Sequence, residues 1–238
     1  MMIRLIALVS FLSGQVALLY FAGFLRNWTP WGVDTAPGLP TGGILGDLVL
    51  LAVFGISHSL LARPAVKRRL FGRLQARLGR SVYNLVAAGT LGLLMAGWTP
   101  LPRILWHCRP GLLSTLLDTV YWAGWALLAI AVCAIDVWHM FGLRQAFARD
   151  DADPPFSMRG PYRFVRHPIQ LGMMVVMWAT PHMTAGHALL AGALTGYSIV
   201  ATLALEEADL RRQLGQAYVT YSRQVPALLP RLFGRPPR

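Results

Sequence analysis

Acid is scarce in this chain. Ten aspartates and glutamates stand against 22 lysines and arginines in 238 residues, and the glutamates are only two, Glu206 and Glu207. Cysteine is scarcer still, and Cys108 and Cys133 make neither a disulfide framework nor a metal-ligand spacing. Charged residues amount to 13% against 55% apolar, and no spacer is long enough for a separate soluble domain. That balance predicts one polytopic membrane domain over residues 1–238. A net charge of +12 on one polar face would point to nucleic acid, but the arginines fall between apolar runs. They report topology, and no nucleic-acid partner is expected.

The apolar runs are Ile3–Leu25, Ile44–Ala62, Ser81–Trp98, Leu116–Trp138, Ile169–Thr180 and Ala185–Leu205. The first continues too long, with no small-x-small site before Arg26, to read as a signal peptide. The fifth is too short to cross alone and meets the sixth through Pro181-His-Met-Thr184. The expected fold is therefore all-α and integral to the membrane. It has about six spans, namely four full-length spans plus a C-terminal helical hairpin. Counting Lys and Arg on alternate sides gives nineteen against three, which puts both termini and the two longest basic loops in the cytoplasm of a bacterial-type inner membrane. The first of those loops, Arg63 to Arg77, is basic and amphipathic and suits anionic lipid headgroups. The second carries Asp150, Asp151 and Asp153 and reads as an irregular segment able to cover a ligand. In the third span, Gly89, Gly92 and Gly97 suggest close helix contact.

Chemistry concentrates between Met158 and Pro226. Proline suits the first position of a helix and disfavours helical geometry in the residue before it, so His167 is expected to cap a helix that Pro168 opens. Free amides at that start, with Arg166 beside them, favour a carboxylate or phosphate. Glu206 and Glu207 follow directly on a long apolar run, where an acid needs a donor or a cation. On a continuing α-helix Glu207 lies one turn before Arg211 and Glu206 points to a more apolar face. Together these residues predict a cleft at the cytoplasmic membrane border, with anion-binding donors on one wall and a carboxylate on the other. A zwitterionic cofactor fits it, and so does a phospholipid headgroup.

Gly160-Pro-Tyr-Arg-Phe-Val-Arg-His-Pro168, Glu206-Glu207, and Leu214-Gly-Gln-Ala-Tyr218 with Tyr221 and Val225-Pro226 resemble the C-terminal signature of the isoprenylcysteine carboxyl methyltransferase and phospholipid methyltransferase superfamily. His58-Ser-Leu-Leu-Ala-Arg-Pro64, Phe141-Gly-Leu-Arg-Gln145 and Ala179-Thr-Pro-His-Met-Thr-Ala-Gly-His187 extend the likeness to its NnrU-like branch of methanethiol S-methyltransferases. The resemblance implies S-adenosyl-L-methionine as cofactor, bound over residues 158–226, and a small thiol as substrate, methanethiol becoming dimethyl sulfide. It puts Tyr162, His167, Pro168, Ile169, Gln170 and Glu206 at the cofactor, with Gln145, Phe156 and Ser157 as further contacts. Arg166 and Glu207 complete the charged set, and Tyr218 and Tyr221 either pack the tail or cover the cofactor.

A thiol must lose its proton, so His58 and His139 are candidate bases and Arg144 a candidate source of positive field. His182 and His187 read as caps at the hairpin tip. Relatives of the superfamily also suggest a prenylcysteine or phospholipid amine as acceptor, although Thr202 stands where the prenylcysteine enzymes keep a carboxylate-binding arginine. Some NnrU-like proteins are haem-dependent isomerases, in which His58 or His139 would be an axial ligand.

Overall fold

The structure, a computed structural model, describes residues 1–38, 43–147 and 158–230. In chain order its elements are α1 (Met2–Leu25), α2 (Gly43–Ala62), α3 (Pro64–Phe71), α4 (Gln75–Gly97), β1 (Ile104–His107), α5 (Leu112–Ile135), α6 (Val137–Met140) and α7 (Leu143–Phe147). There follow α8 (Pro168–Trp178), β2 (His182–Thr184), α9 (Ala185–Val200), α10 (Glu207–Leu214) and α11 (Gln216–Gln224). About twenty apolar residues at 1.5 Å each cross a bilayer core. Four helical stretches are long and apolar enough: α1, α2, α5, and the 30-residue run Ala185–Leu214 that joins α9 to α10. The chain is thus a helical integral membrane protein. Helix α4 covers the third expected span but lies outside those four, and α8, at 11 residues, is short.

One correction concerns the all-α expectation, because β1 and β2 pair as a two-stranded sheet. The cause is local. Thr180, before a proline, is pushed out of helical geometry, and the Pro181 carbonyl accepts the Cys108 amide at 2.8 Å.

The chain forms two compact units. The first comprises Met1–Leu105, Val137–Asp153 and Met183–Leu190. Here α4 lies against α1, α2 and α3, the Ser10 hydroxyl donates to the Ser81 carbonyl at 2.8 Å, and Phe11 meets Phe141 edge to face at 5.4 Å. Gly142 has φ +79°, and a Cβ there would lie 2.7 Å from Ser81 Oγ, so only glycine fits this turn. The basic helix α3 opens on Pro64 and leaves Leu70 exposed.

The second unit comprises Trp106–Asp136, Pro154–His182 and Ala191–Arg238. Its main packing is α5 on α8, where glycines let two backbones approach. A Cβ on Gly172 would come 2.9 Å from the Gly124 carbonyl, and one on Gly124 would come 2.9 Å from Val176. Among the described residues the contact expected at Gly89 and Gly92 is not made, since a Cβ on either meets nothing within 4 Å. Glycine on an apolar helix allows close approach but does not specify it.

Candidate functional site

Helix α8 starts at Pro168, whose fixed φ suits the first turn, and His167 occupies the cap position without a side-chain capping bond. The imidazole is turned elsewhere. The backbone just ahead of the helix is engaged: Arg166 N–H donates to the Pro226 carbonyl at 2.9 Å and His167 N–H to that of Ala227 at 3.1 Å. The tail after α11 therefore runs along the residues that lead into α8. Among the described residues, the amides of Ile169 and Gln170 have no hydrogen-bond partner, as expected one step inside a helix start.

The opposing acids owe their placement to an irregularity. Ala201–Glu206 form a π-helical turn between α9 and α10. Such a turn adds one residue to the circuit and rotates everything after it by about 100° relative to an α-helix. Glu207 is thereby turned inward and is only 2% exposed, whereas Glu206 is 44% exposed.

Glu207 gathers four donors. Its Oε1 accepts from Arg166 Nε at 2.8 Å, from the Tyr218 hydroxyl at 2.8 Å, and meets His167 Nε2 at 2.9 Å. Its Oε2 accepts from Arg211 at 3.1 Å. The bridge to Arg211, one turn on, is the one visible in the sequence, and the other three come from distant segments. Arg166 also donates through Nη1 to the carbonyls of Ser222, at 2.9 Å, and Val225. Burial disfavours the Arg166 charge, yet the hydrogen bond and charge of Glu207 outweigh it and hold the guanidinium pKa above its usual value.

Glu206 sits beside this hub. Its Oε2 accepts from Gln170 Nε2 at 3.0 Å and lies 3.5 Å from His167 Nδ1, so one imidazole spans both acids. Glu206 Oε1 has no hydrogen-bond partner among the described residues. Tyr162, half-buried, is close enough that burial first, and then the charge of Glu206, raise its phenol pKa.

Tyr218 and Tyr221 are 1% and 3% exposed and pack against each other, Val225, Leu210 and Leu214. The Tyr221 hydroxyl donates to the Tyr162 carbonyl at 2.6 Å. Burial raises both phenols, with Glu207 adding to it, and Tyr221 reaches about 12. In this structure both rings pack the tail against the rest of the unit.

His58, His139, Arg144 and Gln145 belong to the first unit. His58 Nε2 lies 2.7 Å from the Tyr83 hydroxyl. His139 is buried and its Nδ1 lies 3.1 Å from Gln145 Nε2, while Gln145 Oε1, also buried, has no hydrogen-bond partner among the described residues. Arg144 is exposed. Phe156 and Ser157, like the acidic loop before them, lie outside the described residues. His187 donates its amide to Thr184 Oγ1 at 3.1 Å, so here the threonine does the capping.

The geometry defines a class: a helical integral membrane protein with a histidine, two arginines and two glutamates drawn together where its last long helix ends. The chain belongs to the NnrU family, whose model, described as NnrU protein, matches residues 48–232. It is 42% identical to Methanethiol S-methyltransferase 2 of Bradyrhizobium diazoefficiens, over 98% of this chain and 92% of that protein. It is 40% identical to Methanethiol S-methyltransferase of Mycobacterium tuberculosis, over 93% of each. A more distant relative, Nurim of Xenopus laevis, is 33% identical over 75% of this chain and 67% of its own length. No solved structure matches the chain.

Proposed function

We propose that the protein is a membrane methyltransferase that converts methanethiol to dimethyl sulfide with S-adenosyl-L-methionine, as one six-span domain with both termini and the cofactor cleft on the cytoplasmic side. The observation that carries this reading is similarity along nearly the whole chain to two proteins named for that activity. The nineteen-to-three arginine and lysine asymmetry supports the orientation.

The residues present suit such a cofactor. Glu206 offers an exposed carboxylate with one oxygen free of partners among the described residues, matched to an ammonium or ribose hydroxyls. The open amides of Ile169 and Gln170 suit a carboxylate at the start of α8. When bound, the cofactor supplies a methyl group on a positively charged sulfur, which a thiolate takes to give a neutral thioether.

The protein's own share is to hold and orient. Glu207 fixes His167 and Arg166, and Gln170 fixes the Glu206 carboxylate. Charge disappears as thiolate meets sulfonium, so an apolar, water-poor setting favours the step. His58 and His139 are proposed as acceptors of the thiol proton and Arg144 as a positive field favouring thiolate. Gln145, Phe156 and Ser157 are proposed as further cofactor contacts, Gln145 through its buried Oε1, which has no partner among the described residues.

The test is headspace gas chromatography of cells that express the chain and are fed methanethiol. Dimethyl sulfide is expected from the natural sequence and not from Glu206→Ala. Absence of product from natural protein that binds the cofactor overturns the choice of acceptor, and absence of both overturns the methyltransferase reading.

A further inference from the structure

In the second unit, far along the chain from the glutamates, two histidines face each other across the short sheet. His107, the last residue of β1, and His182, the first of β2, have their Nδ1 atoms 3.1 Å apart, with ring centroids at 5.3 Å and planes at 74°. His107 is exposed and His182 half-buried, and the pair lies outside the four long apolar helices, in the segment between α4 and α5 and the turn after α8. A hydrogen bond between two neutral imidazoles accounts for contact but contributes little in water.

The separation has a second meaning. Imidazole nitrogens bind zinc at about 2.0–2.1 Å, and two nitrogens 3.1 Å apart then subtend about 100° at the ion, close to the tetrahedral angle. We propose that His107 and His182 form a two-histidine site for a divalent transition-metal ion of the class that prefers imidazole, Zn2+ or Cu2+.

Other donors do not complete it. Cys108 follows His107 at the strand end, where successive side chains point to opposite faces, and its amide is committed to the Pro181 carbonyl. Among the described residues no group of three or more His, Cys, Asp or Glu side chains is placed to hold a metal. Water therefore fills the remaining positions, and the site is an exchangeable one rather than a structural centre. The neighbouring contacts fix the bite: Trp106 Nε1 donates to the Thr180 carbonyl at 3.0 Å and Thr180 Oγ1 to the His182 carbonyl at 2.9 Å. A bound ion would pin the segment entering α5 to the turn that follows α8, both within this unit. Neither histidine is part of the proposed methyl-transfer machinery, so the two ideas fail independently.

The experiment uses the full chain in detergent, stripped with a chelator. Zn2+ titration against a chromophoric chelator is expected to show one ion per chain, with affinity weakened at least about tenfold in His107→Gln and in His182→Gln. Thermal midpoints should rise with Zn2+ in the natural sequence alone. Should a variant fold poorly, Cu2+ electron paramagnetic resonance on the natural protein decides, and coupling to two imidazole nitrogens is expected. Equal zinc affinity in natural and variant proteins, or coupling to fewer than two nitrogens, overturns the site.

Discussion

The His167 imidazole meets Glu207 Oε1 at 2.9 Å through its Nε2, a contact that joins positions 40 residues apart and leaves Nδ1 turned toward Glu206. Glu207 is buried and Glu206 is open, so adjacent, chemically identical side chains have different duties. Removing Glu207 strands a guanidinium, an imidazole and a phenol that are otherwise compensated. Leaving a buried charge unpaired costs about 3–5 kcal/mol. Glu207→Ala is expected to lower the thermal midpoint in detergent markedly and to yield little folded protein, with Glu207→Gln intermediate. A Glu207→Ala melting curve equal to that of the natural protein would show that the hub is not structural.

Glu206→Ala should behave oppositely. Its side chain is 44% exposed and, among the described residues, bound to Gln170 and His167, so stability should change by less than about 1 kcal/mol. Cofactor affinity, read by calorimetry with S-adenosyl-L-methionine, should fall at least about tenfold, the scale of one lost charge-assisted hydrogen bond. Normal affinity with normal folding would remove Glu206 from the cofactor site.

The contrast between the glutamates marks where sequence reading stops. The helix start at Pro168, the acids at the end of an apolar run and the Glu207–Arg211 pair are local and follow from spacing alone. Which glutamate faces inward is not local in that way. A reading at 3.6 residues per turn puts Glu206 on the more apolar face and leaves Glu207 to Arg211, whereas the π-turn at Ala201–Glu206 adds a residue, and it is Glu207 that is buried. Nothing in Ala-Thr-Leu-Ala-Leu-Glu announces the wider turn. The tail carbonyls of Pro226 and Ala227 that occupy the Arg166 and His167 amides come from some sixty residues away, and spacing carries no trace of them.

Tyr221 gives a pH prediction. Its phenol pKa is raised from an ordinary 10.0 to about 12, mainly by burial, with the charge of Glu207 adding to it. The unfolded chain therefore ionises first. The stabilisation from this group is whole below about pH 10 and is lost as pH rises toward 12. Ultraviolet titration should show late-ionising phenols, Tyr221 with Tyr162 and Tyr218, that become ordinary on denaturation, and Tyr221→Phe should remove one phenol's share of that late absorbance and leave the rest. Late absorbance of unchanged size in Tyr221→Phe would show that Tyr221 ionises in the ordinary range.

The glycines supply a test of packing that involves no chemistry. Gly172 and Gly124 stand where α5 and α8 nearly touch, and a methyl on Gly172 would lie 2.9 Å from a backbone carbonyl that cannot swing away. Gly172→Ala should therefore destabilise by about 1–3 kcal/mol through forced separation of the helices. Gly89 and Gly92 are also helical and apolar in setting, but a Cβ there meets nothing within 4 Å. Alanine removes conformational freedom from the unfolded chain and favours helix by about 0.5–1 kcal/mol, so Gly89→Ala should be neutral or stabilising. Thermal midpoints of the two variants should move in opposite directions. A fall at Gly89 as large as that at Gly172 would mean that α4 has a close partner there which the structure does not show.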